Sequence, residues 1–163
     1  MIRIPIVLIL LLFITHVSLG QVFEFKEGKL DLSQTFLIQK SFQFTVKSKL
    51  GMYASDYNGS VKFGAIQMKD YVTYEDSTTI TAIVKFIAVQ TLRETLWDGE
   101  VLFEKRGDSV LVKIEKLKLL RYEHGGFDRV AISELTEQKN MEMQAMLQKL
   151  KERIEMLFNK FRG

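Results

Sequence analysis

Few side chains in this sequence have the types and spacing that catalysis or metal binding needs. The chain holds two histidines, His16 and His124, and no cysteine. A general base, a partner for a nucleophile or a zinc site commonly draws on these residue types. The H-E-x-x-H, G-x-S-x-G and phosphate-loop patterns are absent from the sequence. We therefore expect no catalytic, cofactor-binding or metal-binding residues, and a protein that is not an enzyme.

Two short motifs have both a functional and a structural interpretation. Arg106-Gly107-Asp108-Ser109 spells an integrin-binding tetrapeptide, but Gly-Asp also suits a tight hairpin turn. Asn58-Gly59-Ser60 is a glycosylation sequon in a eukaryotic secretory pathway. Asn-Gly is equally a strong hairpin signal, because both residues tolerate the positive φ values of a type I′ turn. In each case we expect the turn.

The remaining candidate groups are an acidic segment and a pair of aromatic residues. Asp70, Glu75 and Asp76 could hold calcium, but their spacing matches no known loop, and a solvated acidic turn is the simpler interpretation. Trp97 near Tyr122 could form a ligand platform, although a lone tryptophan usually belongs to a core. His124 stands beside two glycines, which indicates a loop residue rather than a base.

The first twenty residues have the pattern of a secretory signal peptide. Arg3 supplies a positive charge, Ile4–Ile14 is almost purely apolar, and Ser18-Leu19-Gly20 places small residues before the expected cut. We expect cleavage between Gly20 and Gln21, and a periplasmic or extracellular location. His16 would leave with this segment. The apolar run is too short to span a bilayer comfortably.

Length, cysteine content and charge define the class of protein further. The chain has 163 residues, and the part after the signal peptide can bury a core as one domain. An exported domain without cysteine is ordinary in a bacterial periplasm and unusual in an animal secretion. The formal net charge is +3, and one positive charge leaves with Arg3. This balance does not indicate a nucleic-acid partner.

Strand signals dominate the middle of the chain. Phe36–Ile38 leads into Ser41–Lys47, where apolar and polar residues alternate with period two and predict a strand. Asn58-Gly59 then predicts a hairpin, with Val61–Met68 as its return strand. Tyr71–Tyr74 is a short strand candidate.

The next segments predict a second group of strands. Thr78–Val89 has apolar residues at helical spacing, but its many β-branched residues favour a strand. Thr91–Trp97 either continues this strand or forms a helical turn. Glu100–Lys105 and Val110–Glu115 alternate in polarity around Gly107-Asp108, which predicts a second hairpin.

A long amphipathic helix is predicted at the C-terminal end. Ser133 is expected to cap it, and neither glycine nor proline interrupts the sequence from there to Phe161. Its apolar residues recur in alternating steps of four and three on one face: Met143, Leu147, Leu150, Ile154, Leu157 and Phe161. The width of this stripe favours packing on the domain's own sheet. There are two alternatives. The helix could pair with a partner in a coiled coil, or it could lie on a membrane surface, which Phe158 and the flanking basic residues favour.

The second half of the chain resembles a family of exported Bacteroidota proteins, a domain of unknown function with a TBP-like fold. Trp97–Ile114 is similar to that family's late hairpin around a charged glycine turn, and Leu147–Ile154 is similar to its closing helix. The signal peptide ending before Gln21 is a further similarity. The family has an early helix, whereas here a hairpin is predicted within Val46–Val61. The resemblance implies the fold and supplies no catalytic residues.

These observations predict an α+β domain, with a twisted antiparallel sheet of six to eight strands packed by a long C-terminal amphipathic helix. Residues 1–20 are the signal peptide, 21–132 the β-rich part and 133–163 the helix on the same domain. The predicted function is an exported, non-enzymatic binding or structural module that needs no cofactor. Its partner would be an unidentified protein or envelope component. The alternative is a peripheral envelope-membrane protein attached through the C-terminal helix.

Overall fold

Strands contain more residues than helices in the computed structural model, which describes residues 22–61, 67–90, 93–122 and 129–162. The predicted signal peptide, its cleavage site and His124 lie outside these residues. The elements follow one another in this order: β1 Phe25–Lys26, β2 Lys29–Leu30, β3 Leu32–Leu37, α1 Phe42–Ser60, β4 Val72–Glu75, β5 Thr79–Gln90, β6 Arg93–Arg106, β7 Ser109–Tyr122, β8 Arg129–Glu134, α2 Glu137–Glu142 and α3 Gln144–Arg162.

Six of these strands form one antiparallel sheet in the order β3-β7-β6-β5-β4, with β8 also paired to β7. Because β6 occupies one edge of β7 along its length, β3 and β8 share the other edge. β3 lies beside Ser109–Ile114, and β8 lies beside Lys118–Tyr122. The predicted α+β class and the antiparallel sheet are confirmed, as are the strands within β4 and β5.

The hairpin between β6 and β7 has the turn predicted from its sequence. Gly107 and Asp108 are the two turn residues, and Gly107 has a φ of 59°. A positive φ at the first central residue alone is the pattern of a type II′ turn, whose twist matches that of the flanking strands. The short turn fixes the register of two fourteen-residue strands.

The core lies between one face of the sheet and two helices. Rows of buried side chains cross the strands, for example Ile80, Phe103 and Val112 in neighbouring register positions. α3 packs on β5 and β3, and α1 packs on α3 and β5. The apolar stripe predicted on the C-terminal helix faces this core, and its members are buried from Leu147 to Phe161. Attachment to a membrane through that stripe would require α3 to leave the sheet.

The predicted strand over Ser41–Lys47 and the hairpin at Asn58-Gly59 are wrong, because α1 occupies both positions. Its buried residues follow helical spacing instead: Phe42, Val46, Leu50, Tyr53, Ala54 and Tyr57. The inner face of the sheet needs a second helix to cover it, and this burial outweighs the local alternation. The ends of the predicted return strand, Val61 and Met68, are not in a strand; residues 62–66 lie outside the described chain.

The predicted start of the C-terminal helix is also wrong. Ser133 belongs to β8, where it pairs with Leu119 of β7. Helix α2 begins four residues further on, at Glu137, and is capped by Thr136, which accepts a hydrogen bond from the Lys139 N–H. Met143, with φ −112° and ψ 23°, then separates α2 from α3. The segment around Ser133, which the sequence predicted as the start of a helix, therefore pairs as a strand of the sheet.

Candidate functional site

A groove with a volume of about 720 Å³ opens between the end of β3 and one side of α1. On the strand side it is lined by β3 from Thr35 onward and by the connection to α1. On the helix side it is lined by residues of the first half of α1, and the last turn of α3 adds Phe161 and Arg162. The groove therefore forms where two consecutive elements, β3 and α1, meet the C-terminal end of α3.

The wall formed by α1 is partly apolar and open to solvent. Phe44, Ser48 and Met52 recur at intervals of four and lie on one side of the helix. Phe44 is 55% exposed and Met52 is 49% exposed, whereas the opposite stripe of α1 is buried in the core. Large apolar side chains grouped on a surface commonly mark a contact site.

The floor of the groove is part of the aromatic core. The Phe161 ring stacks on Phe103 at a centroid distance of 5.5 Å and lies 5.7 Å from Phe36. Phe36 also contacts Phe158 at 6.0 Å. Because these rings are fixed from several sides, the apolar floor is preformed.

The charged residues that line the groove are all positive. Its lining includes Lys40, Lys49 and Arg162 and no aspartate or glutamate. The Lys40 ammonium lies 5.0 Å from the centroid of the Phe44 ring, a cation–π contact. Arg162 pairs with Glu155 at 3.0 Å. In the part of the chain that the structure describes, neither lysine has an ion-pair partner. The groove therefore favours a ligand that is anionic and partly apolar.

The integrin-like tetrapeptide lies at the β6–β7 turn, and its groups serve that turn. The Ser109 hydroxyl donates to the Arg106 carbonyl at 2.7 Å, and the Arg106 guanidinium pairs with Glu104 at 3.2 Å. The Asp108 carbonyl accepts a hydrogen bond from the Ile38 N–H at 2.9 Å. The turn interpretation is confirmed.

Asn58 of the sequon holds a neighbouring segment in place instead of forming a hairpin. Its Nδ2 donates to the Met68 carbonyl at 3.1 Å, and its Oδ1 accepts from the Met68 N–H at 2.7 Å. This side chain near the end of α1 thus binds the chain where it approaches β4.

The acidic segment before β5 is engaged in its own turn. The Asp76 carboxylate accepts hydrogen bonds from the Thr78 N–H at 2.8 Å and the Tyr74 hydroxyl at 2.7 Å. These bonds, the Thr78 backbone first, hold the pKa of Asp76 below its ordinary value. Glu75 pairs with Lys47 of α1 at 2.6 Å. Within the described ranges no three acidic, histidine or cysteine side chains come together as a metal site.

Trp97 is a core residue, as its simpler interpretation predicted. It is 1% exposed, and its indole N–H donates to the Thr95 hydroxyl at 3.3 Å. Phe86 stands opposite it in the neighbouring strand. No helix among the described residues is long and apolar enough to cross a membrane.

The face of the sheet opposite the helices carries a row of alternating charges that sequence reasoning missed. Lys85, Asp98, Lys118 and Glu134 occupy adjacent register positions on four strands. Lys85 pairs with Asp98 at 2.8 Å, and Lys118 bonds Glu100. The Lys118 ammonium holds the pKa of Glu100 below its ordinary value. These charges balance one another, so this face is a weaker candidate for an anion site than the groove.

Two solved structures are similar to this chain at low sequence identity. A TBP-like protein from Parabacteroides distasonis is 10% identical, with 84% of this chain and 95% of that chain covered and a TM-score of 0.47. A DUF4468 family protein from Bacteroides ovatus is 12% identical, with coverages of 87% and 88% and a TM-score of 0.49. Neither shows a family for this chain. No protein-family model and no curated protein matches it.

Proposed function

We propose that this protein is an exported, non-enzymatic binding module whose site is the groove between β3 and α1. The observation that carries the proposal is the combination of exposed apolar side chains with a lining whose charged residues are all basic. Phe44 and Met52 offer apolar area, while Lys40 and Lys49 lack carboxylate partners among the described residues. The ligand class that suits this combination is an anion with an apolar portion.

Binding fits the groups in the groove better than catalysis does. The lining contains hydroxyls, ammonium groups and a guanidinium, but no histidine, aspartate or glutamate. Histidine, aspartate and glutamate are the side chains that most often act as a general base or activate a nucleophile. Positive charge and apolar contact suffice to hold a ligand without transforming it.

Export is supported by the pattern of the first twenty residues. Arg3, the apolar run after it and the small residues before Gln21 are the three features of a secretory signal peptide. The test is expression of the full sequence in a bacterial host, followed by cell fractionation and mass spectrometry of the purified chain. We expect a soluble periplasmic or extracellular protein beginning at Gln21. An intact chain retained in the cytoplasm would contradict export.

The groove itself can be tested with two fluorescent probes. Anilinonaphthalene sulfonate is an amphipathic anion, and Nile red is a neutral apolar dye of similar size. We expect the anion to bind at least tenfold more tightly to the wild type than to Lys40→Glu/Lys49→Glu. The matched control is Lys69→Glu/Lys105→Glu, which changes the net charge equally at exposed positions outside the groove. It should bind the anion within about twofold of the wild type.

Circular dichroism and thermal melting would establish that both charge variants keep the native fold. Nile red should bind the two variants alike, because its affinity has no charge component. Equal anion affinity for the wild type and the groove variant would contradict the proposed site. A loss of anion affinity in the control as large as in the groove variant would also contradict it, since the effect would then come from net charge alone.

A further inference from the structure

β3 lies at the edge of the sheet, and its outward backbone groups face the groove. Ile38 N–H donates to the Asp108 carbonyl at 2.9 Å, which identifies this position as a hydrogen-bonded pair. Because such pairs alternate along an antiparallel ladder, Phe36 also points its backbone groups towards β7. Thr35 and Leu37 therefore point theirs away from it. Both residues line the groove.

No strand of the described chain pairs with that outer edge of β3. Thr35 and Leu37 each present one N–H donor and one carbonyl acceptor there, and Leu37 is 84% exposed. An unpaired edge of this kind is a template for another extended segment. Natural sheets commonly block such an edge with a bulge, a proline or a covering element, but here a groove lies beside it.

The opposite wall of the groove suits the side chains of such a segment. Phe44 and Met52 of α1 are half-exposed apolar surfaces. A strand added to β3 would lie about 4.8 Å from it, and side chains on one of its faces could contact α1. Backbone hydrogen bonds would provide affinity, and the apolar wall would select the side chains.

The charge of the groove selects an acidic segment and disfavours a second copy of this chain. Lys40 and Lys49 have no carboxylate partners in the described ranges, and the lining holds no acid. A second copy would present the same groove, whose lining holds no carboxylate to pair with these cations. An acidic extended peptide would neutralise them instead.

We propose, building on the function proposed above, that the groove binds an extended acidic peptide which adds as a strand to the free edge of β3. The peptide hydrogen-bonds Thr35 and Leu37 through its backbone, places apolar side chains against Phe44 and Met52, and pairs its carboxylates with Lys40 and Lys49. The natural partner is then a protein with an exposed, acidic, extended segment.

The first test uses synthetic peptides and the intact protein. The probe is a fluorescein-labelled hexapeptide Glu-Glu-Val-Val-Glu-Glu with capped ends, measured by fluorescence polarisation, which places both glutamate and valine on each face of the added strand. Two further peptides carry N-methyl groups on residues 1, 3 and 5 or on residues 2, 4 and 6, which removes the donors from one edge or the other. We expect one of these to bind at least tenfold more weakly and the other within about twofold of the parent. A hexapeptide with lysine replacing glutamate should not bind.

The second test follows individual amides of the protein by NMR hydrogen exchange. The N–H groups of Thr35 and Leu37 should exchange quickly in the free protein and at least tenfold more slowly with the acidic peptide bound. The Phe36 N–H, which already faces β7, is the internal control and should change little. This readout separates strand addition from binding to the basic residues alone.

The outcomes distinguish the peptide inference from the proposed function. If both N-methylated peptides bind as well as the parent and Thr35 exchange is unchanged, strand addition is overturned while the groove remains an anion site. If neither the acidic peptide nor the sulfonate probe binds, both proposals fail. A stable dimer that excludes the peptide, seen by light scattering, would assign the β3 edge to a second copy and overturn the inference.

Discussion

The side chain of Asn140 binds both backbone polar groups of Phe23, 117 residues earlier in the chain. Its Nδ2 donates to the Phe23 carbonyl at 2.8 Å, and its Oδ1 accepts from the Phe23 N–H at 3.2 Å. Asn140 is fully buried, and Phe23 is 2% exposed. Helix α2 thereby fixes the segment that precedes β1 as a backbone partner would.

Asn140→Ala should lower the free energy of unfolding by about 2–3 kcal/mol, because it leaves a buried donor and a buried acceptor without partners. Urea denaturation followed by circular dichroism measures the change. Asn159→Ala is the matched control, since Asn159 is exposed in α3 and its side chain accepts only from Arg162 in the described structure. That variant should stay within about 0.5 kcal/mol of the wild type. Equal effects of the two substitutions would refute the role given to Asn140.

Gly99→Ala should destabilise the sheet through a direct clash. A Cβ at position 99 would lie 2.6 Å from Cε2 of the Phe86 ring, which is fully buried. We expect a loss of about 1–3 kcal/mol in thermal or urea unfolding, as for other overpacked cores. Adding Phe86→Leu should recover part of that loss, so the two changes should be non-additive in a double-mutant cycle.

Gly59→Ala is the control for the clash at Gly99. Gly59 lies in α1, and a Cβ there would meet nothing within 4 Å. Because alanine restricts the unfolded chain and favours a helix, we expect this variant to be more stable by roughly 0.5–1 kcal/mol. A similar loss at both glycines would point to a general effect of side-chain addition and away from the Phe86 contact.

Glu100→Gln should reduce stability in a pH-dependent way. The hydrogen bond from Lys118 lowers the pKa of Glu100, and the same bond raises the pKa of Lys118. Because the carboxyl pKa is lower in the folded state, this interaction adds stability above the unfolded pKa of about 4.3. That stability is lost as the pH falls through the folded pKa. Because the lysine pKa is higher in the folded state, the same interaction adds stability below the unfolded pKa of about 10.4. That stability is lost as the pH rises through the folded pKa of Lys118.

The pair is partly exposed, with side-chain accessibilities of 28% for Glu100 and 34% for Lys118. Solvent screening therefore limits the expected loss at pH 7 to less than about 1 kcal/mol. Urea denaturation of wild type and variant from pH 3 to pH 11 should show curves that converge at both ends. A constant difference across this range would exclude the ion pair as its cause. Glu152→Gln, in the more exposed pair with Lys149, should have a smaller effect.

Deleting residues 138–163 should abolish cooperative unfolding, because α3 covers the sheet. A milder test is Leu150→Ala, which removes a fully buried side chain and should cost about 2–5 kcal/mol. Met156→Ala in the same helix is the control, since Met156 is 39% exposed and should change stability by less than about 1 kcal/mol. A truncated chain that melts like the wild type would show that the helix does not belong to the core. Membrane attachment through the helix would then become the better proposal.

Local sequence signals predicted the elements whose partners are close in the chain. Gly107-Asp108 specifies its own two-residue turn, and the alternating residues on either side need only each other to form a hairpin. The stripe through Leu150 and Ile154 is long enough to identify a helix by period alone. These predictions depend on interactions within a few residues, which the sequence displays directly.

Helix α1 and the groove could not be predicted in the same way. Phe42, Phe44 and Val46 satisfy strand alternation, while Phe42, Val46 and Leu50 satisfy helical spacing. The choice between them depends on the uncovered inner face of β5, which lies elsewhere in the chain. The intervals of four through Leu50 were the one signal that could have revealed the helix. The groove then requires α1, β3 and α3 to be placed relative to one another.

The contact between Phe23 and Asn140 also constrains the order in which the chain can assemble. A ribosome makes the protein from its first residue, and the β6–β7 hairpin can close as soon as its two strands exist. Phe23 must wait until Asn140 has been added, 117 residues later, and β3 must wait for β7. The fold therefore grows outward from its middle, and its earliest segment is among the last to reach its native place.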